Sequence, residues 1–158
     1  MAQKPITISL CMIVRNEENT IARCLDSVKD IVDEIVIVDT GSTDRTKEIV
    51  AEYTDKIYDF VWIDDFAAAR NFAFSLGTMD YLLWLDADDV ILDEDREKFL
   101  ELKKTLDPSV DVVNMHYLLA FDNSGNPTFS LRRNRLVKRT REYRWKGAVH
   151  EYLEVGGK

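Results

Sequence analysis

The chain has 158 residues, with 21 Lys+Arg against 29 Asp+Glu and a formal net charge of -8. That length suits one domain with a real core and is short for two, and 46% hydrophobic with 32% charged residues is ordinary globular composition, which excludes a disordered, collagen-like or coiled-coil chain. The acidic balance argues against nucleic acid as the main partner. The charge is also segregated: Met1 to Leu131 carry 12 Lys+Arg and 26 Asp+Glu, whereas Arg132 to Lys158 carry 9 and 3.

Ile6 to Val14 is a continuous apolar run rich in β-branched residues, the pattern of a strand buried on both faces of a parallel sheet. It is too short for a membrane span and meets Arg15, Glu17 and Glu18 without a signal-cleavage pattern, so a soluble, cytoplasmic protein is expected. Ile21, Cys24, Leu25 and Val28 have helical spacing. Cys11 and Cys24 lie inside apolar patterns and in no metal-ligand spacing, and read as buried, reduced thiols. Glu34 to Val38 is a second buried strand, and Gly41 to Asp44 a turn and cap for a helix over Arg45 to Tyr53. Lys56 to Trp62 reads as a short strand, Phe66 to Leu76 as a helix, Tyr81 to Leu85 as a buried strand, and Asp93 to Leu106 as a helix ended near Pro108. Four strand–helix alternations predict an α/β fold with a mainly parallel sheet flanked by helices.

After Pro108 the pattern changes. Val110 to Phe121 and Thr128 to Lys138 read as two long strands joined by a turn over Asp122 to Pro127, so an antiparallel C-terminal part is expected. The chain is read as one domain of two parts, residues 1–108 with the parallel pattern and 109–158 with the antiparallel one.

Ligands of open α/β sheets bind at the carboxyl ends of the strands. Three such ends are polar: Arg15-Asn16-Glu17-Glu18, Asp39 to Asp44, and Asp86-Ala87-Asp88-Asp89. An acid ending an apolar strand, as Asp39 does, can accept hydrogen bonds from a ribose hydroxyl or a base N–H, and Gly41 and Ser42 turn the chain into a helix facing the same cleft. The same residues would equally make a capped turn with no ligand. Neither GxGxxG nor a P-loop occurs.

The Asp86 segment is more specific. Three carboxylates directly after five apolar residues repel one another unless a cation or hydrogen-bond donors compensate them. In extended backbone Asp86 and Asp88 project to one side, and all-oxygen ligands suit Mg²⁺ or Mn²⁺ held jointly with a diphosphate. An EF-hand starting at Asp86 would need an oxygen ligand at Val90 and a glycine at Ile91, and has neither. The string Asp86 to Val90 also fits a haloacid-dehalogenase-type phosphatase, but three strand–helix units precede it instead of none.

The succession ISLCMIVRNEE, DEIVIVDTGSTDRT, DDFAAARNFA and YLLWLDADD closely resembles the family 2 glycosyltransferases of the GT-A fold, especially bacterial members often joined to TPR-type helical repeats. The resemblance runs from Ile6 to about Glu151. It implies a nucleotide-diphosphate sugar, usually UDP-linked, as donor, with Mn²⁺ or Mg²⁺ as cofactor. By position Asp39 looks like the acid that contacts the nucleoside, with Arg15, Asn16, Glu17, Gly41 and Ser42 around it and Arg70 lining the donor site. Asp88 looks like the main metal ligand, with Asp86 and Asp89 in the sugar or metal shell. Family members carry two acids in the Asp39 loop; here Thr40 follows Asp39.

Inverting transfer needs a base to deprotonate the acceptor, and Glu151 in Trp145 to Glu151 is the candidate, similar to a VHE segment in related transferases. His150 is a candidate aid to the metal, and Trp145 to an acceptor site; Trp84 and His116 read as core or strand-face residues. Arg133, Arg135 and Arg139 share one face of an extended strand, either solvated or meeting a diphosphate, an anionic acceptor or a membrane surface. The acceptor, whether glycan, lipid or protein, is not specified, and no transmembrane segment is expected. Members of the family are usually longer, so a truncated or non-catalytic sugar-nucleotide-binding module is the alternative to an enzyme.

Overall fold

The computed structural model describes residues 5–62, 65–87, 89, 91, 93–107, 109–121, 127–141, 144–146 and 152–154. β1 (Ile8–Val14), β2 (Glu34–Asp39), β3 (Ile57–Asp59) and β4 (Tyr81–Leu83) alternate with α1 (Ile21–Val28), α2 (Thr46–Val50) and α3 (Phe66–Leu76). α4 (Asp93–Thr105) follows, then β5 (Val112–Phe121) and β6 (Pro127–Lys138), and a two-stranded ribbon of β7 (Arg144–Lys146) and β8 (Tyr152–Glu154). One six-stranded sheet has the order β3-β2-β1-β4-β6-β5. β3, β2, β1 and β4 are parallel, while β6 runs antiparallel to both β4 and β5.

The period-two alternation of a strand sorts the core into two layers. From β1, Ile8, Leu10, Met12 and Val14 join Ile21, Cys24, Leu25 and Val28 of α1, Val50 of α2 and Phe99 of α4 on one face. Cys11 of β1, with Val36 and Val38 of β2, packs on the other against Ala67, Ala73 and Phe74 of α3 and Trp145 of β7. In α1 the four apolar positions of the helical pattern are all buried. Burial of such side chains is worth about 1.5–3 kcal/mol each, well above the fractions of a kcal/mol at stake in helix propensity, so packing decides this short helix. α3 starts on Asp65, whose side chain accepts from the Ala68 N–H at 3.0 Å. It ends at Gly77, where a Cβ would lie 2.5 Å from Leu82 Cδ2 and 3.0 Å from Cys11 Sγ; only glycine lets the helix end approach β1 and β4 this closely.

Several strands are shorter than their apolar runs predict: β1 starts at Ile8, β3 stops at Asp59 and β4 at Leu83. β3 is an edge strand with half-buried or exposed residues, and beyond Leu83 the chain turns into a loop. The antiparallel part is not an appendage, because β6 pairs with β4 through Leu83↔Leu136 and completes the same sheet. β1 leads to β2 on one side and has β4 on the other, so the carboxyl ends of β1 and β4 flank a topological switch point, the place where open α/β sheets bind ligands.

Candidate functional site

At the carboxyl end of β2, Asp39 is 2% exposed. Its Oδ1 accepts from the backbone N–H groups of Gly41 at 2.8 Å and Ser42 at 2.7 Å, and Gly41 takes φ +121°, which a side chain would strain. Asp39 Oδ2 is buried and has no hydrogen-bond partner among the described residues. Thr40, standing where a second acid was expected, is buried and turns its N–H and hydroxyl to the Val14 carbonyl at 3.0 and 3.3 Å.

The loop after β1 is locked onto this one. Asn16 has φ +52°; its N–H donates to Ser42 Oγ at 2.9 Å and its Oδ1 accepts the Thr43 N–H at 2.8 Å. The Glu17 N–H donates to Thr46 Oγ1 at 2.8 Å and the Arg45 N–H to Glu18 Oε1 at 3.1 Å. Asp44 accepts from the Thr46 hydroxyl, the Thr46 N–H and the Glu18 N–H. Desolvation is the largest single influence on its carboxyl and acts upward, but these hydrogen bonds together hold it below the usual carboxylate range. The loops carrying Asn16, Glu17, Asp39, Gly41 and Ser42 are thus joined at one end of the sheet, with Arg15 exposed just after β1.

Beyond β4, Trp84 and Leu85 are buried and the Asp86 side chain is 40% exposed. The segment is a turn and not the extended run expected: the Asp89 N–H donates to the Asp86 carbonyl at 2.9 Å, and the Asp86 N–H to Asp89 Oδ2 at 2.8 Å. A carboxylate three residues on, capping the first amide, closes the chain on itself. Two buried arginines brace the turn. Arg70 Nη2 of α3 pairs with Asp86 Oδ1 at 2.8 Å, and Arg135 Nη1 of β6 pairs with Asp89 Oδ2 at 2.8 Å. Both guanidinium groups lie over the Trp84 ring, at 5.0 and 4.1 Å from its centroid. Cys24 of α1 donates its thiol to the Asp86 carbonyl at 3.6 Å.

Arg135 is therefore not on a solvated strand face; it is 5% exposed and paired with an acid of the candidate site. Trp145 is not an exposed acceptor platform either. It is 4% exposed, edge-on to Trp84 and Phe74, and Arg70 stands 4.8 Å over its ring. Its backbone is clasped by Asn71, which accepts the Trp145 N–H at 2.7 Å and donates to the Trp145 carbonyl at 3.1 Å. Asn71 was missed, and Arg135 was weighed only as one of three arginines on a strand face, without its partner Asp89. The legible signal for Arg135 was an arginine set directly before the apolar pair Leu136-Val137, where burial demands a counter-charge.

Asp88, His150 and Glu151 lie outside the described residues. Among the described residues no group of three or more His, Cys, Asp or Glu side chains stands where it could hold a metal ion. Among the described residues Asp86 offers a cation an oxygen donor, its side chain 40% exposed at the carboxyl end of β4. No helix of the described residues is long and apolar enough to cross a membrane.

The profile of glycosyl transferase family 2 matches residues 9–152. A TPR repeat-containing protein of Synechococcus elongatus is 40% identical over 147 residues, spanning 93% of this chain and 35% of that protein. The SPbeta prophage-derived glycosyltransferase SunS of Bacillus subtilis is 32% identical over 148 residues, 92% of this chain and 34% of its own length. The chain thus spans about a third of the curated relatives it matches. Among solved structures, residues 1–349 of S. aureus TarS align with TM-score 0.51 and 27% identity over 59% of this chain and 31% of that one. The same protein in complex with UDP aligns with TM-score 0.50 and 26% identity over 61% and 32%. With the β3-β2-β1-β4-β6-β5 sheet and the acids at its strand ends, the chain belongs to glycosyl transferase family 2 and has the GT-A fold.

Proposed function

We propose that this chain is the donor-binding domain of a metal-dependent, inverting glycosyltransferase that takes its sugar from a UDP-sugar. The observation that carries the reading is the unpartnered, buried Asp39 Oδ2 at the carboxyl end of β2. A buried acceptor without a donor costs about 1–3 kcal/mol, and a base N–H or ribose hydroxyl relieves that cost. TarS, which shares the fold, has been crystallised with UDP, and SunS is a glycosyltransferase by name.

In this reading the interlocked loops at Asn16 and Asp39 hold the nucleoside, and Arg70 and Asp86 stand where the diphosphate and sugar lie. Asp86 and Asp88 would hold Mn²⁺ or Mg²⁺, which supplies charge neutralisation for the departing diphosphate. Asp89 steadies the turn that presents them, and His150 is assigned to the same shell. Glu151 takes the proton of the acceptor hydroxyl as that oxygen attacks the anomeric carbon opposite the leaving group. The buried thiols of Cys11 and Cys24 fit a reducing cytoplasmic compartment, and burial together with Glu34 pushes the Cys11 thiol well above its ordinary range.

Calorimetric titration with UDP, with and without Mn²⁺, tests the reading. Binding that tightens at least about tenfold with the metal, or about 1.4 kcal/mol, is expected; no binding under either condition sinks it. UDP release from a UDP-sugar marks an enzyme, and donor binding with no release a sugar-nucleotide-binding module.

A further inference from the structure

Arg135 sits in β6, on the antiparallel side of the sheet, and reaches across to the loop after β4. The Trp84 N–H donates to the Arg135 carbonyl at 3.2 Å, extending the β4–β6 pairing past Leu83, while Arg135 Nη1 donates back to the Trp84 carbonyl at 3.2 Å. The same nitrogen holds Asp89 Oδ2 at 2.8 Å, and that oxygen also accepts the Asp86 N–H at 2.8 Å. A single carboxylate oxygen therefore stands between the guanidinium and the backbone amide from which Asp86 projects. We infer that Arg135 is the positioning residue of the acidic loop, acting through Asp89 and Trp84 to set the direction of Asp86 toward the donor diphosphate.

The inference rests on the donor reading above and deepens it at the same site. Arginine suits the position because one guanidinium nitrogen serves both acceptors while the planar group lies over the Trp84 ring, a stacking that a lysine ammonium cannot make. Its burial also needs the partner: a guanidinium 5% exposed is tolerated only when paired. Arg70 reaches the Asp86 carboxylate itself from α3, so the two arginines divide the loop, one holding the side chain and the other its backbone.

The test compares Arg135→Gln and Arg135→Lys with Leu136→Ala, a neighbouring substitution in the fully buried core that lowers stability and removes no polar side chain from the loop. Amide hydrogen exchange is read over residues 84–89 and over β1, and UDP affinity in Mn²⁺ is read by calorimetry. In Arg135→Gln, exchange over 84–89 should rise at least about tenfold with β1 protection kept, and UDP affinity should fall about tenfold. Arg135→Lys should fall between Arg135→Gln and the unaltered chain, and carries the test should Arg135→Gln fail to fold. Leu136→Ala should leave UDP affinity within about twofold at a comparable loss of Tm. Unchanged exchange over 84–89, an equal rise in β1, or an equal affinity loss in Leu136→Ala overturns the inference. An unaltered chain that binds no UDP overturns the donor reading instead, and the exchange arm then decides the hold of Arg135 on the turn.

Discussion

β2 carries a buried acid at each end, and the two are treated differently. Glu34, 6% exposed at the amino end, is surrounded by donors: Oε1 accepts from Ser9 Oγ at 2.5 Å and from the Thr78 N–H and hydroxyl at 2.9 and 3.1 Å, and Oε2 pairs with Lys56. Desolvation is the largest influence on Glu34 and acts upward, yet Lys56, Ser9 and Thr78 outweigh it and hold the carboxyl down at about 2. Asp39, five residues on and 2% exposed, satisfies one oxygen on its own loop and leaves the other without a described partner. An acid completed by the fold joins strands; an acid left incomplete is available to a ligand. The amino end of this strand is built for cohesion, and its carboxyl end keeps an acceptor open.

The largest effect should come from breaking the completed end. Glu34→Ala leaves the Thr78 amide and the Ser9 and Thr78 hydroxyls without their acceptor, and should cost about 3 kcal/mol in urea unfolding with UDP affinity unchanged; a loss below about 1 kcal/mol would contradict the contrast. The same group predicts the acid response. Because its folded pKa of about 2 lies below the ordinary 4.5, its contribution is fully present above pH 4.5 and is lost as pH falls toward 2, amounting to about 3 kcal/mol. Urea midpoints from pH 5 to 2.5 should fall more steeply in the unaltered chain than in Glu34→Gln. The smallest effect on stability belongs to the open end. Asp39→Asn keeps an oxygen for Gly41 and Ser42, so stability should move by less than about 0.5 kcal/mol while UDP affinity drops about tenfold. Stability loss matching that of Glu34→Ala would erase the difference between the ends.

Much of the donor side was legible because its signals are local. The continuous apolar run of β1, the i, i+3, i+4, i+7 spacing of Ile21, Cys24, Leu25 and Val28, and polar residues directly after each run place the strands, α1 and the Asp39 loop without reference to distant parts of the chain. The supports of the Asp86 turn were legible only in part: Arg70 was picked out, but the reach of Arg135 depends on which strands become neighbours. Nothing near Asp86 announces that β6 inserts beside β4 and brings Arg135, 46 residues away, onto Asp89. Trp145 looked like a surface platform for the same reason: its burial is supplied by Phe74, Trp84 and Arg70 from other elements. The turn itself was misread as extended because the Asp89 carboxylate, counted as one more acid, instead caps the Asp86 amide.

The strand order has a consequence for the sequence of events in folding. β1 meets β2 over a separation of 25 residues, whereas Ile8 of β1 meets Tyr81 of β4 across 73. Such long-range pairings come late, since loop closure must be met before the contact is gained. A chain made from its amino end therefore carries Asp39 in a locally closed loop early, and Asp86 and Asp89 soon after, but Arg135 does not exist until most of the domain has been synthesised. Until β6 arrives, β4 is an open sheet edge and the acids of the turn stand without their second arginine. The Asn16 and Asp39 loops thus depend on contacts spanning 26 and 29 residues, and the Asp86 turn on a strand made 46 residues after Asp89, a matter of seconds at ordinary elongation rates.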